Sequence, residues 1–284
     1  MDIYLAPEGA FHFVPQFTLE VALDRVEQKK MSLVAGAVGA LLSRPRPEEI
    51  QMTSVENRLE PFWLISASAR TTYDRSRAYT LSMGGPEVNG VTLLGQDLAV
   101  EAKGKDSPTV TLNGVEHCAE ERRASRTFDG LSGERADLSK YLSFPKTVIL
   151  DLEDFAPEGV LVVPPQVRAT AVVRQALAEV IKPVQGAQVI HDERVDVEAI
   201  ELNFRPVYAL EYEWSSKGKQ SVVEFDALTG DFRAGGKKLS SQIKNLVTRD
   251  LFFDITADAA SMLVPGGGIA VKLVKAVVDR KKSG

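Results

Sequence analysis

The chain has 284 residues, 44% hydrophobic and 26% charged, and carries a net charge of −5 from 34 Lys+Arg against 39 Asp+Glu. These proportions exclude a disordered or collagen-like chain, and the acidic balance speaks against a nucleic-acid coat, so no nucleic acid is expected as a partner. One cysteine, Cys118, and three histidines, His12, His117 and His191, allow no internal disulfide and leave no set for a structural zinc site.

The length suits two domains or one large one. The opening MDIYLAPEGAFHF shows no basic stretch followed by an apolar run, which predicts a cytoplasmic chain, with the membrane periphery as the alternative. Leu19, Ala22, Leu23 and Val26, then Met31, Val34, Val38, Leu41 and Leu42, recur at helical spacing. They predict a helix from Thr18 to about Arg44, where Pro45 and Pro47 stop it. A charged, gently alternating segment follows, VENRLEPFW at 55–63, in which Pro61 is read as opening an apolar strand.

The same arrangement recurs. A helix is predicted at 166–182, with Val167, Ala171, Val172, Ala176, Leu177, Val180 and Ile181 on its apolar side, and IELNFRPVY at 200–208 matches 55–63 without gaps at an offset of 145. FDGLSGERA at 128–136 matches FDALTGDFRA at 225–234, allowing one extra residue, at an offset of 97. The first copy would then carry 48 more residues, for which the Gly-rich stretch near 84–113 is the expected place. Two matches in the same order argue for duplication of a helix-plus-sheet unit. The expected fold class is therefore α+β, two related modules, each a helix packed on an antiparallel sheet, plus a C-terminal helical tail. The boundaries follow as 1–150 and 151–236, with a basic tail at 237–284 that holds nine Lys+Arg and four Asp+Glu.

Within PVYALEYEWSSKGKQSVVEFDALTGDF, Tyr208, Leu210 and Tyr212 alternate with polar neighbours, a Gly218-containing hairpin follows, and a return strand ends at Phe225. The Asp226–Gly230 stretch and its counterpart Asp129–Gly133 read as turns, each Asp capping backbone N–H groups and each Gly supplying a positive φ. This helix, P-V-Y strand, hairpin and D-A-x-T-G ending resembles the PepSY domain, a cystatin-like helix-plus-sheet module, over about 166–234, and over about 18–136 if the insertion is accepted. The resemblance implies a non-catalytic binding or regulatory module, sometimes inhibitory toward peptidases, and supplies no catalytic residues.

In the tail, a Pro-Gly-Gly-Gly break at 265–268 precedes a predicted amphipathic helix at 269–282. Ile269, Leu273, Val274, Val277 and Val278 form its apolar face, and Lys272 and Lys275 flank it. Such a face must dock, on protein by preference and on a membrane surface as the alternative.

The remaining chemistry is sparse. His117 and Cys118, adjacent on a strand, point to opposite faces, so they are read as surface and half-buried residues rather than as a metal or nucleophilic site. Asp151, Glu153 and Asp154 read as solvated surface, and Trp63, Tyr208 and Trp214 as core. No nucleophile elbow, phosphate loop or dinucleotide fingerprint is present, and no cofactor is expected. The sequence therefore favours a binding, scaffold or regulatory protein contacting another protein or a second copy of itself. The alternatives are an enzyme with its site in a cleft between the modules and a peripheral membrane protein held by the last helix.

Overall fold

Two long strands, β3 and β9, set the architecture. In chain order the computed structural model contains β1 (Asp2–Leu5), β2 (Glu8–Phe13), α1 (Leu19–Ser43), β3 (Ile50–Ser82), β4 (Gly90–Leu93), β5 (Gln96–Ala99) and β6 (Thr109–Asp129). There follow β7 (Lys146–Val148), β8 (Leu161–Val162), α2 (Ala169–Val180), β9 (Val189–Trp214), β10 (Lys219–Asp226), β11 (Phe232–Gly236) and β12 (Lys272–Lys275). The structure describes residues 1–43, 46–85, 87–101, 108–236, 252–253 and 272–275. Ten of the described strands form one mixed sheet, and β4 and β5 make a separate hairpin.

β3 and β9 run antiparallel from Ile50↔Trp214 to Asp74↔Val189. Along its other edge β9 is tiled by β1 and β2, both parallel to it, and then by antiparallel β10. The other edge of β3 takes β8 at Arg58–Leu59 and then β6 from Phe62 onward. Pro61 and Pro206 do not open strands, as the sequence suggested; β3 and β9 run straight through them. Each proline sits at the seam where one neighbouring strand ends and the next begins, and there its carbonyl accepts an N–H, from Gly130 at 3.0 Å and from Ala227 at 3.1 Å. A missing donor costs nothing at such a seam.

Both helices lie on one face of the sheet. Ala169, Val172, Val173, Ala176, Leu177 and Val180 of α2 are buried at helical spacing against Leu59, Trp63, Ile65, Ile200, Leu202 and Phe204. Ala22, Val26 and Val34 of α1 pack on Tyr208, Leu210, Tyr212, Val223 and Phe225. Each fully buried Val, Leu, Ile or Phe side chain among them contributes about 1.5–3 kcal/mol of hydrophobic free energy. The helical path of α1 breaks at Gly36, whose φ is 74°.

Separate duplicated modules, the expected fold class, are not what the chain forms. It is mostly β, with one continuous ten-stranded sheet, the small β4–β5 hairpin and two α-helices among the described residues. The matched segments 55–63 and 200–208 pair with each other, antiparallel, around Glu60↔Arg205. Their return strands meet them in matching register, Trp63↔Phe128 and Tyr208↔Phe225. The helices cross over. Gln16 and Phe17, before α1, donate to the Ala227 carbonyl at the end of the β9–β10 hairpin, while Gln166 and Val167, before α2, donate to the Gly130 carbonyl at the end of β6. Trp63 Nε1 reaches the Val167 carbonyl and Tyr208 Oη the Phe17 carbonyl, both at 3.0 Å. Each helix thus packs largely on strands of the other half, α2 on β3 and β6 and α1 on β10 and β11, so neither half has a core of its own.

The extra residues of the first half lie at 70–121, wider than the expected 84–113. They lengthen the hairpin beyond Ala69↔Arg122, the counterpart of the closing pair Trp214↔Lys219. The predicted C-terminal helix is also corrected. Lys272–Lys275 is strand β12, parallel to β1 with Asp2↔Lys272 and Leu5↔Lys275. The free edge of β1 offers a strand a ready ladder, whereas a short isolated helix is marginal in water, and Lys-Leu-Val-Lys suits a strand as well as a helix turn. Ile269, Val277 and Val278 lie outside the described residues. No described helix is long and apolar enough to cross a membrane.

Gly133 and Gly230 occupy matching turns with φ of 73° and 76°. A Cβ at Gly133 would lie 3.0 Å from Val167 Cγ2 in addition to the backbone strain. Gly133→Ala is predicted to destabilise the chain by about 1–2 kcal/mol. Gly84→Ala, where φ is ordinary and no atom lies within 4 Å, should be neutral or slightly stabilising. Denaturant midpoints of the two variants check this.

Candidate functional site

The face of the sheet opposite the helices carries charge. Strand alternation puts Glu56, Arg58 and Glu60 of β3 on that face, and the register places Ala209, Val207 and Arg205 across from them. The next strand brings Glu224 and Asp226 opposite Ala209 and Val207. Five acidic and basic positions on neighbouring strands thereby converge with Arg205 into one network.

Arg58, 1% exposed, donates to Glu56 Oε2 from Nε at 2.9 Å and from Nη2 at 2.6 Å. Its Nη1 lies 3.6 Å from Glu224 and 3.8 Å from Glu60. Arg205 donates to Glu60 at 2.7 Å, to Asp226 Oδ2 at 3.2 Å and to the Tyr141 hydroxyl at 3.0 Å. Tyr141, on the short turn Ser139–Ser143 that caps this face, donates in turn to Asp226 Oδ2. Burial opposes the Arg205 charge, but Glu60, Tyr141 and Asp226 outweigh it and hold the guanidinium above its ordinary pKa. Burial also pushes the Tyr141 phenol up, and the bond to Asp226 adds to that. Glu224 is raised by burial first and by Glu60 second, against the pull of Arg233, Arg58 and Arg205.

Asp226 has two roles. Its Oδ1 accepts the N–H groups of Leu228 at 2.9 Å and Thr229 at 3.1 Å, which caps the turn, and its Oδ2 serves the network. Asp129 makes the matching cap, accepting from Leu131 at 3.0 Å and Ser132 at 2.8 Å. Beside Tyr141, Arg205 and Glu224 lies a cavity of about 140 Å³. That is well below the volume of sites for drug-sized ligands, so it suits a few waters or a small ion.

A second polar cluster lies farther along β3. Asp74 receives His117 Nδ1 at 2.7 Å and His191 Nε2 at 2.9 Å, one on each carboxylate oxygen. These two bonds hold the Asp74 carboxyl below the usual range. The cluster joins β6, β3 and β9 at the last β3–β9 pair, Asp74↔Val189. Beyond it, Arg75–Ser82 and Thr109–Glu116 continue as two strands with no third strand among the described residues. That ribbon shows Tyr79, Leu81 and Val115 at 42%, 41% and 56% exposure.

Trp63, Tyr208 and Trp214 are in the core. Cys118 is half-buried, its Sγ 3.7 Å from the Glu116 carbonyl, on the opposite face from His117. Asp151 caps a turn through Glu153 and Asp154. Among the described residues no group of three His, Cys, Asp or Glu side chains is placed to hold a metal. Sequence reasoning passed over Arg58, Glu60, Tyr141 and Arg205. The only signal was the Glu-x-Arg-x-Glu alternation at 56–60, which reads equally well as a solvated strand.

Asp129→Ala is predicted to cost about 1 kcal/mol as a lost cap. Asp226→Ala should cost about 3 kcal/mol or more, because it also strips an acceptor from Arg205 and Tyr141; paired denaturant melts compare the two. Glu224 gives a pH dependence. Its raised folded pKa means the folded chain binds the proton more tightly than the unfolded chain. Stability therefore falls as pH rises from the ordinary value of 4.5 through the raised one. Glu224→Gln should flatten that part of the profile in thermal melts between about pH 4 and pH 8. No protein-family model, no curated protein and no solved structure matches the chain.

Proposed function

We propose that this chain is a non-catalytic binding protein that contacts another protein through the β3–β6 ribbon. The observation that carries the reading is the ladder beyond Asp74↔Val189, where β3 and β6 continue side by side to Ser82↔Thr109 without a third strand among the described residues. A two-stranded ribbon is marginal in water on its own. Here Arg75 and the Tyr79 hydroxyl are tied to Glu116 at 2.5 and 2.6 Å, a device that keeps the ribbon extended. Exposed Tyr79, Leu81 and Val115 on such a support are the kind of anchors that protein interfaces bury. The charged network supports the same reading from the other side. Its acids and bases are engaged with one another and brace the sheet from which the ribbon extends. The PepSY-like run at 166–234 agrees with a regulatory or binding role.

Replacing residues 76–115 by Asn-Gly closes the hairpin on the pair Arg75↔Glu116 with a turn suited to it. The variant should melt cooperatively, and proteins cross-linked to the full chain in native cells should be missing from its cross-linked set. Identical sets from a folded variant would overturn the proposal.

A further inference from the structure

Among the described residues the outer edge of β6 is open. At its two ends the phase of the backbone is visible: Thr109 exchanges N–H and C=O bonds with Glu101, the Thr127 carbonyl accepts from Ala136, and the Asp129 N–H donates to Glu134. Odd-numbered residues of β6 therefore aim their backbone groups away from β3. Between Val110 and Arg126 no described strand meets them. The β3–β6 ladder has no register shift over its whole length, and β6 contains no proline. Bulges and prolines, two usual guards of an edge, are thus missing, and what remains is charge.

The charge pattern matches itself. Two antiparallel copies of one strand can be related by a two-fold axis only if that axis stands perpendicular to the sheet. Residues then face partners of the same parity, which lie on the same sheet face. With the axis at Glu121, Glu120 faces Arg122 of the second copy and Glu116 faces Arg126, each twice, which makes four opposite-charge pairs. Glu121 meets its own copy across the axis. Arg123 lies 2.7 Å from it within the chain, so the central group is two carboxylates between two guanidiniums. Shifting the axis to Arg122 sets two arginines against each other and Cys118 against Arg126, and leaves only the Glu121–Arg123 pairs. Odd residues also carry the outward N–H and C=O groups, so a Glu121-centred ladder exchanges hydrogen bonds at residues 117, 119, 121, 123 and 125.

We propose that two copies of this chain pair edge to edge through β6, over Glu116–Arg126 and centred on Glu121, to form one continuous sheet. Pairing of this kind sends the two ribbons toward opposite ends of the joined sheet. It is independent of what the ribbons bind.

Sedimentation velocity of the full chain, from about 1 µM to several hundred µM, is the test. The expected result is a reversible dimer that weakens as salt rises. Ala119→Pro removes an outward N–H and leaves the β3 ladder intact, so it should give monomer. Glu120→Arg should weaken the dimer at least about tenfold, by setting like charges together twice. The double variant Glu120→Arg/Arg122→Glu restores opposite charges and should recover it. A wild-type chain that stays monomeric throughout, a dimer unmoved by Ala119→Pro, or a double variant as weak as the single one would each overturn the proposal.

Discussion

The antiparallel pairing of β3 with β9 is the interaction on which the other elements depend. It runs from Ile50↔Trp214 to Asp74↔Val189, and every other strand of the sheet adds directly to one of these two or to a strand that does. A ladder of this length fixes register strongly, because a one-residue slip would move Trp63, Ile65, Leu202 and Phe204 from the apolar face to the charged one. It would also separate Glu60 from Arg205 and Arg58 from Glu224. Hydrophobic burial on one face and charge pairing on the other therefore select the same register.

Charge at the centre of a sheet needs a physical account. Arg58 is almost fully buried, and removing a guanidinium from water costs several kcal/mol unless carboxylates surround it. Glu56, Glu60 and Glu224 do so, and Glu60 also serves Arg205. Such a group adds little net stability over apolar residues of the same size. Its effect is on specificity, since any arrangement that fails to bring both strands and the Ser139–Ser143 turn together leaves a buried charge without its counter-charge.

Much of the local structure was legible in the sequence. The spacing of Val172, Ala176, Leu177 and Val180 marks α2, and the Asp and Gly positions mark both turns, because those signals lie within a few residues of one another. The architecture was not legible, for a related reason. Helix, strand and hairpin patterns say which elements form but not which strands a helix covers, and here α1 and α2 exchange places. The strands β3 and β9 are also apolar or shielded on both faces near their middles, so period-two alternation fades there and the prolines look like boundaries. At Lys272–Lys275 four residues fit either period, and the open edge of β1 decided the outcome.

The repeated segments carry a further constraint. Glu60 and Arg205 are corresponding positions, 145 residues apart, and they face each other at the centre of the ladder. A residue on a local two-fold axis meets its own counterpart, so strict identity of the two segments would have set two carboxylates or two guanidiniums against each other in a buried place. Different residues at that position turn a repulsion into the 2.7 Å ion pair that anchors the network. Asp226 then gains Arg205 as a partner, while Asp129, opposite Phe62, serves its turn. Two halves of one chain can change independently at the axis. Two copies of the same chain cannot, and an edge such as β6 must neutralise its central residue with neighbours instead, which is the position of Arg123 beside Glu121.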